Sequence, residues 1–232
     1  MRRFTLLTLL LASLFGCNTY QYLTLDSSQI PKTDKHSFSW ENDTMRLTYA
    51  FMGKGGNMNL IIFNKSSQPI YINWKKSALI RDEHSFSLFD PHASFTGTET
   101  GKYVREINGV FVVPSGMDFI PPGTGITKDL PPVDQTGSFI TFMPDSLVWH
   151  MATTFGGGQI KYQEASFDET RSPVRFKSYL TFMLGSENSP EFAETQSFYV
   201  SRVRQSKLSP ELFGYQRQGD QFFIRFPSSS AP

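Results

Sequence analysis

Residues 44–74, TMRLTYAFMGKGGNMNLIIFNKSSQPIYINW, repeat one pattern three times. Met45, Leu47, Tyr49 and Phe51 share one parity, while Arg46 and Thr48 take the other. Successive side chains of an extended chain point to opposite faces, so this alternation describes a strand with one apolar and one polar face. The Gly-Lys-Gly-Gly-Asn run at 53–57 interrupts it, and Met58, Leu60 and Ile62 resume it. A second interruption at 64–69 leads into Ile70, Ile72 and Trp74. Period-two patterning punctuated by Gly, Asn and Pro predicts antiparallel hairpins.

The pattern extends in both directions. Residues 78–80 and 86–89 flank Arg81-Asp82-Glu83-His84, a further short hairpin. Residues 174–184 carry the longest alternation, with Val174, Phe176, Leu180, Phe182 and Leu184 on one face. Their expected partner is 196–204, and 222–226 closes the set. Shorter strands are predicted at 104–113 (interrupted at Asn108-Gly109), 139–142, 147–151 and 159–162. Between them, Pro114, Pro121, Pro122, Pro131 and Pro132 mark a long connection that cannot be helical. Only the segment 209–214 reads as a helical turn, with Ser209 as N-cap and Pro210 at the first position. About a dozen short strands predict an all-β protein built as an antiparallel β-sandwich. The expected domain occupies residues 36–227, with a possible subdivision near residue 130 and a loose tail at 228–232.

Composition agrees with a packed β body. The 232 residues are 39% hydrophobic and 15% aromatic, with 22 Phe, against 19% charged residues. That much apolar surface excludes a disordered polyelectrolyte.

The N-terminus gives an address. Arg2 and Arg3 precede an apolar run from Phe4 to Phe15, too short to span a bilayer but suited to a signal-peptide core. The run ends in Leu14-Phe15-Gly16-Cys17, which resembles the bacterial lipobox. Leu14, Gly16 and Cys17 match it, and Phe15 is bulkier than the usual residue. The resemblance implies a signal peptide at 1–16, cleavage before Cys17, and a lipid on that thiol, with 17–35 as anchor and tether. Cys17 is the only cysteine in the chain, so no intramolecular disulfide supports the fold. Cleavage removes Arg2 and Arg3 from 22 basic residues set against 21 acidic ones, leaving a net charge of −1. A near-neutral body gives no reason to expect a nucleic-acid partner. Asn18, rather than Asp, follows the cysteine, which in the well-studied sorting case implies the outer membrane, and the default exposure is toward the periplasm.

Asn64-Lys65-Ser66 followed by Pro69-Ile70-Tyr71-Ile72-Asn73-Trp74 resembles the second hairpin of immunoglobulin-like domains in uncharacterised bacterial envelope lipoproteins. Residues 172–184 and 197–201 also look like segments of such proteins. The resemblance implies an immunoglobulin-like sandwich or an elongated variant of one, and no activity.

Motifs that carry chemistry are sparse. His36, His84, His92 and His150 have no metal-ligand spacing, and neither a metal nor a cofactor is expected. Asp90-Pro91-His92 reads as a polar turn. The runs 53–56 and 155–158 are Gly-rich but lack the strand-to-helix context of a phosphate loop. Two carboxylate pairs, Glu41 with Asp43 and Asp168 with Glu169, have the minimal composition of a glycosidase site, and both read more simply as solvated loop charges. The parities of Trp40, Trp74 and Trp149 place all three rings toward the core.

Two further features point outward. If Leu180 faces Tyr199 in the 174–184/196–204 hairpin, Arg175 faces Arg204 and Lys177 faces Arg202. Four cations then cluster on the outer face as a candidate anion site. Asp43-Thr44-Met45 and Asp145-Ser146-Leu147 resemble an O-glycosylation acceptor of exported bacterial proteins, which implies Thr44 and Ser146 as candidate sites. The sequence reading is therefore a lipid-anchored envelope protein, more simply a non-enzyme, that binds a partner protein or an envelope component. The alternative is a carbohydrate-binding or carbohydrate-active lipoprotein.

Overall fold

A computed structural model describes residues 19–92, 94–101, 106–112, 114–134, 147–153 and 157–226. Cys17, the predicted signal segment, Ser146, the predicted strand at 139–142 and the tail 228–232 lie outside the described residues. Among those described, fifteen strands and one four-residue helix form an all-β protein.

Residues 44–74 form β3 (Met45–Met52), β4 (Asn57–Asn64) and the start of β5 (Ile70–Arg81). Met45, Leu47, Tyr49, Phe51, Met58, Leu60, Ile62, Ile70 and Ile72 are all buried, as the alternation requires. β2 (Phe38–Glu41) joins β3, and β10 (Gly125–Pro132) joins β4, giving a four-stranded sheet in the order β10-β4-β3-β2. β10 runs through the Pro-rich stretch read above as a connection, and Leu130 lies inside it rather than at a boundary. As an edge strand, β10 has one row of backbone groups outside the ladder, so Pro131 and Pro132 are tolerated there.

The facing sheet has nine strands. Its spine is β14 (Glu191–Ser206). β13 (Arg175–Leu184) pairs with residues 191–199 of β14, and β12 (Gln159–Ser166) with residues 202–205. The opposite edge of β14 takes β1 (Thr19–Asp26), which is itself flanked by β15 (Gln221–Phe226). β5 lies beyond β13, and its far edge carries β6 (His84–Ser87) and β9 (Met117–Ile120) end to end. β11 (Val148–Thr153) pairs with β12 at the outer margin. A separate hairpin joins β7 (Ser94–Thr100) to β8 (Glu106–Val112), in which Asn108 and Gly109 are paired rather than interrupting the strand. The helix α1 (Pro210–Phe213) follows Ser209, whose side chain makes no capping bond, and Gly214 closes it in the left-handed conformation.

The sheets meet on an aromatic cluster. Phe198 of β14 lies 5.0 Å from Phe51, 5.2 Å from Phe38 and Tyr49, and 5.3 Å from Phe176, between ring centroids. These are the offset and edge-on distances that aromatic pairs favour. Burial pushes the Tyr49 phenol above its ordinary range, so it stays protonated, although its oxygen accepts a 3.4 Å hydrogen bond from Ser178 Oγ that acts the other way.

Local motifs resolve as turns. Asn64, fully buried, donates from Nδ2 to the carbonyls of Gln68 (2.8 Å) and Ile120 (3.0 Å). Its Oδ1 accepts from the backbone N–H and the hydroxyl of Ser66. That is the physical role of the Asn64-Lys65-Ser66 motif. The turn at Asp82-Glu83 has positive φ at both residues, the geometry of a two-residue hairpin. At Gly56 (φ +73°) a Cβ would lie 2.9 Å from the Phe222 ring, so the tip of the β3–β4 hairpin needs glycine for space as well as conformation.

β1 is the main departure from expectation. A tether was predicted over 17–35, yet a strand begins at Thr19 and runs between β14 and β15. The following segment is fastened by Lys32, whose Nζ lies 2.9 Å from the buried Asp220 carboxylate.

Two consequences are measurable. Asn64→Ala leaves two carbonyls without their donor and should cost about 2–4 kcal/mol in urea unfolding, and Asn64→Asp, which cannot donate, should be no better. Deleting residues 19–26 should abolish the cooperative thermal transition seen by circular dichroism; a true tether would tolerate the deletion.

Candidate functional site

β11 and β12 extend the large sheet past the aromatic cluster, and there the core gives way to an open surface. Trp149 pairs with Gln163, Gln163 with Gln205, and Gln205 with Gln21, so one row crosses four strands. Met151 lies opposite Lys161, one step along. Trp149 is 57% exposed and Met151 67%, with Val148 also open to solvent. The Lys161 ammonium sits 4.3 Å from the centre of the Trp149 ring, a close cation–π contact.

A groove of about 460 Å³ runs beside this ring. Gln159, Gln163 and Gln205 line it with amides, and Thr19, Lys207 and Leu208 form the end where β1 begins. No Asp or Glu lines it among the described residues. Its resources are a flat ring, amides that both donate and accept, and two ammonium groups. It offers stacking, hydrogen bonds and positive charge. On the opposite face of the same strands, His150 stacks on Tyr162, Tyr162 meets Phe213 edge-on, and Phe213 stacks on Tyr22 at 4.1 Å.

Trp149 overturns the parity argument that placed it in the core. Parity orders residues within a strand, but β11 is outermost among the described strands, and residues 148–151 are exposed on both of its faces. The partner strand held the missing signal: Gln159, Lys161 and Gln163 are the residues opposite Thr153, Met151 and Trp149. A polar partner row argues against a buried ring. Trp74, by contrast, is 3% exposed, and its Nε1–H donates to Asp118 Oδ2 at 2.8 Å. Lys128 pairs with the same carboxylate at 2.7 Å. Trp40 is half-buried against the core.

The four predicted cations do not converge as proposed. Arg175 lies across from Tyr199 and Lys177 across from Ser197, five residues away from the expected register. In-register stacking of Phe182 on Phe192 and Phe176 on Phe198, with a short turn at 185–190, sets this pairing. A bulge at Ser201 then turns Arg202 and Arg204 to the outer side, because Thr24 pairs with Arg202 and Leu25 with Val200. Both reach Glu164 of β12, Arg204 Nε at 2.6 Å and Arg202 Nε at 3.9 Å. Arg175 and Lys177 line a separate groove whose wall also holds Asp82, Glu83 and Glu169.

The carboxylate pairs stand on the surface. Glu41 is exposed, with Lys65 at 3.7 Å, and Asp43 is exposed beside it. Hydrogen bonds from Arg171 and Thr170 hold Asp168 well below the usual carboxylate range. Asp90 accepts from the backbone N–H of His92 and pairs with its ring, as the turn reading expects. In the Gly-rich loop 53–56, the Gly53 N–H donates to Tyr215 Oη and the Gly55 N–H to the Phe223 carbonyl, so neither is offered to a phosphate. Thr44 sits half-buried in the turn where Asn42 Oδ1 accepts from the Thr44 and Met45 N–H groups. Among the described residues, no group of His, Cys, Asp and Glu could hold a metal ion, and no helix is long and apolar enough to cross a membrane.

No protein-family model, curated protein or solved structure matches this chain.

The contrast between the two tryptophans can be measured. Trp149→Ala should change unfolding free energy by less than about 0.5 kcal/mol, as for a surface substitution. Trp74→Ala should cost about 3–5 kcal/mol through the cavity it leaves.

Proposed function

We propose that the chain is a lipid-anchored bacterial envelope protein that acts by non-catalytic binding to a partner protein or another envelope component. Its anchor is a lipid on Cys17, and its place is the outer membrane, facing the periplasm. The observation that carries the reading is the exposed Trp149–Lys161 groove at the end of the body where β1 begins. It presents apolar area, amides and positive charge at that end, and among the described residues no pair of carboxylates lines it to exchange protons. Among the described strands none pairs with the outer side of β11, and such an edge is a common site for strand addition by a partner.

Carbohydrate binding is the second reading, and the same tryptophan favours it. A solvent-facing ring flanked by Gln159, Gln163 and Gln205 suits the apolar face and hydroxyls of a sugar.

The anchor is tested first. Intact mass of the exported protein should equal residues 17–232 plus lipid, and Cys17→Ser should move the protein from the membrane to the soluble fraction. A wild-type protein recovered unmodified and soluble would overturn the reading. Pull-down of the acylated protein in mild detergent, read by quantitative mass spectrometry, should then recover one stoichiometric envelope partner. A partnerless preparation that binds on a glycan array would shift the conclusion to the second reading.

A further inference from the structure

We infer that the Trp149 groove rests on the membrane surface itself, with the Trp149 ring and the Lys161 and Lys207 ammonium groups among anionic phospholipid headgroups. The inference builds on acylation of Cys17 and identifies the envelope component that this face touches.

The first argument is chain length. Thr19 lines the groove and is already paired with Phe226 in the sheet. Thr19 is two residue steps from Cys17, with only Asn18 between them, and a chain extends at most ~3.6 Å per residue, so the lipidated residue lies within about 7 Å of Thr19. The headgroup layer of one leaflet is itself about 5–7 Å deep. Because β1 is a central strand and not a tether, the body cannot swing away from the bilayer on a long leash. Whatever surrounds Thr19 is held at headgroup depth.

The second argument is chemistry. The groove beside Thr19 contains Lys161 and Lys207, and no ion pair within 4.0 Å engages either among the described residues. On the other face of the sheet, exposed Arg225, paired with Tyr20, adds a cation at the same end of β1. Cations held at an anionic leaflet each contribute to binding, and long basic side chains keep their heads in the polar layer while their stems lie along apolar groups. Trp149 supplies the other half, since an amphipathic indole ring is favoured at the membrane–water interface. Met151, opposite Lys161 and in phase with Trp149, gives exposed apolar area on the same face. The rival basic groove at Arg175 and Lys177 lacks this character, because Asp82, Glu83 and Glu169 share its wall.

The test uses the acylated full-length protein in vesicles of phosphatidylethanolamine and phosphatidylglycerol. Trp149 emission is obtained as the difference between wild type and Trp149→Phe. With brominated lipid that emission should be quenched, and in the vesicles it should lose the sensitivity to aqueous iodide that it shows in the soluble Cys17→Ser protein. Lys161→Gln combined with Lys207→Gln should reduce the quenching in anionic vesicles. Trp149 emission that is insensitive to brominated lipid and still open to iodide overturns the inference while leaving the anchor intact. Shielding from iodide without lipid quenching places a second copy of the chain on the groove and also overturns it. An intact mass without lipid on Cys17 overturns the anchor reading and the inference together.

Discussion

Phe198 holds the two sheets in one arrangement. Its ring touches Phe38, Tyr49 and Phe51 across the sandwich and Phe176 within its own sheet. Five interlocked rings tolerate little sliding, since a shift of one residue would turn an aromatic outward and leave a void behind it. The position of β13 against β14 follows from this cluster. The same contacts decide where the later half of β14 delivers its side chains.

That later half does three things at once. It takes β1 on one edge and β12 on the other, and at Ser201 it bulges. The bulge lets Val200 and Val203 both face the core although their parities differ. It also turns Arg202 and Arg204 toward Glu164, where two like charges share one carboxylate. An unbroken strand would have placed one of those sets wrongly. β12 and β11 then overhang the core, and an aromatic residue that a central strand would bury becomes a surface feature. Function, on the reading proposed here, sits in this overhang. The groove's nearness to the first residue of β1 sets its neighbour.

Several elements were legible because their information is local. The alternation of Met45 to Phe51 and of Met58 to Ile62 needs no partner to be read. The Asn64-Lys65-Ser66 turn and the Ser209-Pro210 helix start are likewise contained within a few residues. β10 escaped because two prolines outweighed the alternation of Ile126, Lys128 and Leu130; only its edge position makes the prolines harmless. β1 escaped for another reason. Tyr20, Tyr22, Leu23 and Leu25 carry a strand-like pattern, but closeness to Cys17 made the segment read as a tether.

The amino-acid sequence by itself determined an all-β chain, the identity of its core-facing residues in the regular strands, and the position of a single cysteine after an apolar run. Each of these rests on side-chain period or on residue chemistry, which are properties of short stretches. The tertiary structure alone decided which strands pair, in what register, and which strand is outermost. Those depend on contacts between residues far apart in the chain: Phe198 with Phe51, Thr24 with Arg202, Trp149 with Gln163. Trp149 and Trp74 have the same local signature of a ring in phase with apolar neighbours. One is buried and the other exposed because a facing sheet covers β5 and nothing among the described residues covers β11.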